Sequence, residues 1–256
     1  MIYMDNAATT RITDSVFEAM LPYLKENYGN PSAIYSLGQR SRAAIENSRI
    51  KIAELLGVKA SEIYFTSSGS ESDNWALKGS LLPNQENHLI SSRIEHPAVL
   101  NSLKKIESWG GQASLVSVDA EGFVDLREIE NSIKDSTRLI SIMFVNNEIG
   151  TIEPLAEISK IAREKNILFH TDAVQAIGNI KFKIKDIGVD MLSLSGHKLG
   201  APKGVGVLYL REGIDLDNFL DGGEQERGRR ASTENLASIV GLARAMEDAY
   251  NNIEDY

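Results

Sequence analysis

Seven short apolar runs, most of them rich in β-branched residues, recur along this chain, and the stretches between them space their apolar residues as helices do. The runs occupy 63–66, 88–91, 113–118, 139–145, 167–170, 191–194 and 205–210. Runs this short suit strands buried on both faces. Between them, 32–56 places Ala44, Ile45, Ser48, Ile52 and Leu55 on one side and stops at Gly57, a common helix terminator. A second helix is expected over 70–81, and a third over 155–165 with Ile158, Ile161 and Ala162 inward. Strand and helix in alternation predict an α/β fold: a mainly parallel central sheet flanked by helices on both faces. The segment Gly-Ala-Pro-Lys-Gly between the last two runs predicts a tight antiparallel return.

A chain of 256 residues can bury a core without covalent staples. Its formal net charge of −9 argues against nucleic acid as a partner, because neutralising phosphates takes surplus Lys and Arg. It has no Cys, which excludes disulfides, thiolate metal ligands and a Cys nucleophile within these residues. The opening MIYMDNAATT lacks a basic segment followed by an apolar one, and no apolar run reaches membrane-spanning length. Neither a signal peptide nor a membrane is expected, and the cytoplasm is the expected location. Near the end, Leu236, Ile239, Val240, Ala243, Met246, Tyr250 and Ile253 form one apolar stripe at helical spacing. A helix with such a stripe must pack on something. Either it folds back on the sheet domain, or it opens a second domain that the chain does not contain.

In open α/β sheets, ligands gather at the carboxyl ends of strands, and five expected strand ends here carry polar residues. Ser68, Gly69 and Ser70 lead into a helix, where free N–H groups and hydroxyls suit a phosphate; the same residues also make an ordinary cap. His96 sits before a Pro at a strand-to-helix junction. Asn146, Asn147 and Glu148 follow an apolar run and read either as turn chemistry or as ligand contacts. Asp172 ends a buried strand, which is costly unless a cation or hydrogen-bond donors meet it. Ser195, His197 and Lys198 end the next. Taken together, these positions ask for one ligand with an anionic group, a protonated nitrogen, a flat ring and an electrophilic carbon. Pyridoxal phosphate has all four: its aldehyde forms a Schiff base with lysine and its ring nitrogen takes an acidic partner.

The segments MDNAATT, YGNPSAIY, FTSSGSESDN, EHPAV, FVNNEIGTIEP, HTDAVQAIG, SLSGHKLGAPKGVGVLY and GGEQERGRRASTENL occur in the order found in cysteine desulfurases. The chain resembles that family, the class V aminotransferase-like branch of fold-type I pyridoxal phosphate enzymes, over essentially its whole length. The resemblance implies that Lys198 holds the cofactor covalently, that His96 stacks on its ring, that Asp172 pairs with the ring nitrogen and that Gln175 bonds the ring oxygen. It assigns Gly69, Ser70, Ser195 and His197 to the phosphate, and Asn147 to positioning cofactor and substrate. Asn30 falls in the substrate-side Gly-Asn-Pro loop. Thr233 matches a threonine that reaches the phosphate of a neighbouring subunit, so a homodimer is implied. The implied substrate is L-cysteine, converted to L-alanine with the sulfur passed to an acceptor protein, and the implied destination is iron–sulfur clusters or thiolated cofactors. Lys198 is also expected to act as the base for the α-proton, and His96 to serve catalysis beside it.

The sequence departs from the family pattern in specific places. The family carries sulfur on a loop Cys and binds the substrate carboxylate with an Arg, both from a C-terminal part beyond the last residue here. Ser68 and Ser70 stand where Gly and Thr are usual, Tyr35 where His is common, and Ser232 where Gly precedes Thr233. On the resemblance, 1–14 is an N-terminal segment, 15–235 the cofactor-binding large domain and 236–256 the start of a linker helix to a small domain. This chain alone is expected to form no persulfide. Two other readings keep the same fold: a lyase or transaminase that needs no Cys, and a non-catalytic remnant that binds partners.

Overall fold

The structure is a computed structural model and describes residues 2–253. Helices α1 (Asp14–Lys25) and α2 (Ser36–Leu56) precede strand β1 (Ile63–Thr66). Then follow α3 (Gly69–Gly79), β2 (His88–Ser92), α4 (Pro97–Ser108), β3 (Gln112–Val116), α5 (Leu126–Asn131) and β4 (Thr137–Ser141). The remainder comprises α6 (Leu155–Glu164), β5 (Leu168–Asp172), α7 (Ile184–Ile187), β6 (Met191–Ser195), β7 (Gly206–Leu210) and α8 (Leu236–Asn252).

The strands form one seven-stranded sheet in the order β1-β7-β6-β5-β4-β2-β3. Neighbours from β6 to β3 are parallel, while β7 runs antiparallel to both β6 and β1. The expected antiparallel return after β6 is therefore present. Because side chains alternate across a strand, each strand feeds two apolar layers. Ile63, Phe65, Ile140, Leu192, Leu194, Val207 and Tyr209 join α2, α6 and α8 on one face. Tyr64, Leu139, Met191, Leu208 and Leu210 join α3 and α4 on the other. Near-continuous apolar runs follow from this in the strands inside the sheet and in β1, which are buried on both faces, whereas the edge strand β3 is half-buried.

Two expected boundaries move for local reasons. Helix α2 starts at Ser36 rather than at 32, because Asn30 Oδ1 accepts from Ser32 N–H at 2.9 Å and holds a turn there. Strand β4 ends at Ser141 rather than at 145, although Ile142 and Phe144 still donate to the carbonyls of His170 and Asp172. Helix α1 stands out less in the sequence; Thr13 caps it and its Val16 and Met20 are buried.

Helix α8 has a partner for its stripe within the described residues. It packs on α1 and α2, burying Leu236, Ile239, Leu242, Ala243, Met246 and Tyr250 in the same core. The expected helix range to 256 runs past the described residues. A buried ion pair ties α2 to the loop before α8: Arg49 Nη1 and Nη2 each lie 2.8 Å from the Glu226 carboxylate, which also accepts from Phe65 N–H. Glu226 adopts this position with φ +47°, a left-handed conformation unusual for Glu.

Candidate active site

The carboxyl ends of β1, β2, β4, β5 and β6, with the loops that leave them, open around a pocket of about 610 Å³. Strand β7 runs the other way, so its first residue, Gly206, lies between the ends of β1 and β6. A Cβ there would stand 2.6 Å from the Ser68 carbonyl carbon and 2.8 Å from Leu194 O. Only glycine lets the two strand ends approach this closely.

At one end of the pocket, Ser68 caps α3 by accepting from Glu71 N–H at 3.1 Å. Glu71 in turn accepts from Ser67 N–H and from Arg230, whose guanidinium lies 2.7 Å away. The turn is thus braced, and Ser68, Gly69 and Ser70 line the pocket at a helix start, where the first backbone N–H groups lack intrahelical acceptors. Gly69 packs closely here: a Cβ would come within 2.8 Å of the Val174 side chain, which would have to shift, and 3.3 Å of Ser195. Ser70, Ser195 and His197 line the same end. His197 Nδ1 is 3.0 Å from the Thr9 hydroxyl, and burial lowers the imidazole pKa, with Lys198 and Lys203 adding to the effect.

At the other end, Asp172 is 5% exposed and accepts from Val174 N–H at 2.9 Å. Burial raises its carboxyl above the usual range, against the pull of His96 and Lys198. His96 caps α4 through Nδ1, which accepts from Ala98 N–H at 3.1 Å, with Pro97 fixing the first turn. That bond leaves the other ring nitrogen to carry the proton. Lys198 follows β6 in a short 3₁₀ turn, and its amine donates to the carbonyls of Ala7 and Ala8, the latter at 2.8 Å. Burial lowers its pKa against the opposing charges of Asp172 and Asp5, which favours a neutral, nucleophilic amine. Gln175 Nε2 donates to Ala7 O at 3.0 Å. The N-terminal segment is held over the site by Thr10, whose N–H donates to His197 O at 2.8 Å.

The open alternative at Asn146 and Asn147 divides between them. Asn146 Oδ1 accepts from Glu148 and Ile149 N–H and its amide donates to Ile94 O, so it builds the turn. Asn147 lines the pocket. Two expected site residues lie elsewhere. Asn30 is spent on its own turn and does not line the pocket. Thr233 borders a separate cavity of about 190 Å³ beside Ser67 and Arg230. Conversely, Asp5, Ala7, Ala8 and Asp73 line the pocket without having been singled out. For Asp73 a signal existed: with Gly69, Ser72 and Ala76 it completes the buried face of α3 at helical spacing.

The donor set fits pyridoxal phosphate: an amine at Lys198, a buried carboxylate at Asp172, and the start of α3 at Ser68, Gly69 and Ser70. The chain belongs to the aminotransferase class-V family, whose pattern matches residues 2–254. More narrowly, it is 53% identical over 256 residues to the cysteine desulfurase IscS of Methanosarcina thermophila, covering 99% of this chain and 63% of that protein. Among solved structures, a NifS-like protein superposes with a TM-score of 0.95 at 43% identity, covering 98% of this chain and 70% of the other. The structure described as SspA in complex with cysteine gives 0.94 at 40% identity, with coverages of 96% and 72%. The chain thus spans slightly less than two thirds of the length of the curated relative it matches. The resemblance carried by the eight segments holds for family and fold. No helix among the described residues is long and apolar enough to cross a membrane.

Proposed function

We propose that these residues form the cofactor-binding part of a pyridoxal phosphate-dependent cysteine desulfurase acting on L-cysteine. The observation that carries this is the convergence of Lys198 and Asp172, from neighbouring strands, on a pocket whose other end is the tightly packed start of α3 at Gly69. Bound there, pyridoxal phosphate would supply an aldehyde for Lys198 and an electron-withdrawing ring that makes the α-carbon of an amino acid acidic. Asp172 presents a buried carboxylate to the ring nitrogen and Gln175 an amide to the ring edge. The start of α3, with Ser70, Ser195 and His197, meets the phosphate. His96 offers the face of a ring held rigid by its capping bond. Asn147 lies on the substrate side. Lys198 Nζ, pushed toward its neutral form by burial, is the base in reach of an α-proton.

Thr233, outside this chain's own pocket, fits a second copy's phosphate, and a homodimer belongs to the proposal. These 256 residues contain no Cys, so they offer no thiol to receive sulfur. The acceptor, a protein of iron–sulfur cluster or thiolated-cofactor synthesis in the cytoplasm, lies outside them. The same absence favours one second reading, a lyase or transaminase at the same site. Titration of the purified protein with pyridoxal phosphate tests the core of the proposal. A yellow protein is expected, with the visible band lost in Lys198→Ala; a wild type that stays colourless overturns it. Alanine released from L-cysteine, with sulfide freed by an added thiol reductant such as dithiothreitol, favours desulfuration, whereas a keto acid favours the second reading.

A further inference from the structure

The chemistry above leaves Asp73 without a task, although the pocket contains it. Its side chain is 1% exposed, and its Oδ1 has no hydrogen-bond partner among the described residues. An oxygen of Asp73, an oxygen of Asp172 and a ring nitrogen of His96 all lie within 4.8 Å of one another. On its other side stand the Ser193 hydroxyl and His170, whose Nε2 is 3.6 Å from Oδ1. Glu95 and Lys198 are the remaining ionisable groups around the pair.

An ion pair with His170 does not account for Asp73. His170 is wholly buried, with Nδ1 2.9 Å from the Ser141 hydroxyl and Nε2 2.9 Å from the Ser193 hydroxyl. Burial lowers its pKa to about 3, so the ring is neutral. Nor can two adjacent carboxylates both ionise out of reach of water. Burial and the charge of Asp172 push the Asp73 carboxyl well above its usual range, which puts the shared proton on Asp73.

We infer that Asp73 is a positioning residue that donates a hydrogen bond as a neutral carboxylic acid to Asp172 and holds that carboxylate toward the pocket. It ends a one-way relay. The Ser141 hydroxyl donates to His170 Nδ1, His170 Nε2–H donates to Ser193 Oγ, and the Ser193 hydroxyl donates to Asp73. The relay runs through β4, β5 and β6 to α3, and it gives Asp73 acceptor and donor partners at once. Asp172 then receives two donors, Val174 N–H and the Asp73 acid, which keep it ionised and fixed in direction. The inference rests on the proposed pairing of Asp172 with the ring nitrogen of the cofactor.

Two measurements test it. The first needs no cofactor: carboxyl carbon NMR of Asp-selectively labelled apoprotein at pH 7. One Asp signal at the position of a protonated acid is expected, and it should vanish in Asp73→Asn. A spectrum with every Asp ionised overturns the inference, as does zinc binding to the apoprotein that is lost in the same variant. The second is pyridoxal phosphate affinity, with the pH midpoint of the bound cofactor's absorbance. Asp73→Ala should weaken binding about tenfold to hundredfold, the scale of one buried charge-assisted hydrogen bond, and move the midpoint. Asp73→Asn, whose amide donates to Asp172 while its carbonyl accepts from Ser193, should restore both. An Asn variant as impaired as the Ala variant, or an Ala variant like wild type, refutes the role. A wild type that binds no cofactor refutes instead the proposed function, and leaves the NMR result standing.

Discussion

Replacing Glu95 by Gln should change how stability depends on pH, by an amount the structure specifies. Glu95 is 4% exposed, at the end of the β2 segment that leads to His96. Its Oε1 accepts from the Ser92 hydroxyl at 2.7 Å and from Met143 N–H at 2.9 Å, while Oε2 has no partner among the described residues. Burial, the dominant cause, raises the pKa from 4.5 to about 8 against these two donors, and the charges of Asp172 and Glu153 add to the rise. A folded-state pKa above the unfolded one means stability that is fully present below pH 4.5 and lost as pH climbs through 8. From pH 5 to 8 the loss accumulates to about 4 kcal/mol at 1.36 kcal/mol per pH unit. Gln keeps an acceptor for both donors and cannot ionise, so the loss disappears in the variant. Urea unfolding of the apoprotein at pH 5, 6, 7 and 8, wild type against Glu95→Gln, isolates the effect, because the opposing titration of His170 cancels in the difference. The variant should gain steadily on wild type as pH rises. Parallel stability curves, or a gap that closes with rising pH, would show that Glu95 ionises normally and that the burial argument fails.

Glu226→Ala should destabilise the protein by about 3–5 kcal/mol, because it strands the Arg49 guanidinium inside the core. The double variant Glu226→Leu, Arg49→Met should recover much of that in urea unfolding. Gly206→Ala should cost about 1–3 kcal/mol, since two of the three nearest neighbours of the added methyl, Ser68 C and Leu194 O, are backbone and cannot step aside. The same variant should weaken pyridoxal phosphate binding by displacing Ser68; unchanged affinity would remove Gly206 from the account of the site.

Much of the fold follows from local pattern. The runs that became β1, β6 and β7 are legible because both of their faces are buried, which gives continuous apolar stretches bounded by Gly, Ser or Pro. The site is legible for a related reason: Asp172 and Lys198 stand where a strand has just ended, and polarity in such places is expensive. What escaped depends on distance along the chain. Arg49 lies on the inner face of α2 like any apolar neighbour, but its partner Glu226 is 177 positions away. Asp73 falls on the inner face of α3 by spacing, but the groups it meets, Asp172 of β5 and Ser193 of β6, lie about a hundred positions on and are set only by the sheet. In both cases the deciding contact is tertiary.

Strand β7 imposes an order on assembly. Among the described residues β1 finds its sheet neighbour only in β7, so the strand made first waits for the one made last. While the chain is still leaving the ribosome, residues 63–66 have no edge to join until 206–210 have emerged. A nascent protein halted short of that point should carry no chromophore, however much vitamin is supplied. Colour in this molecule would then report that synthesis has passed the final strand and that the sheet has closed.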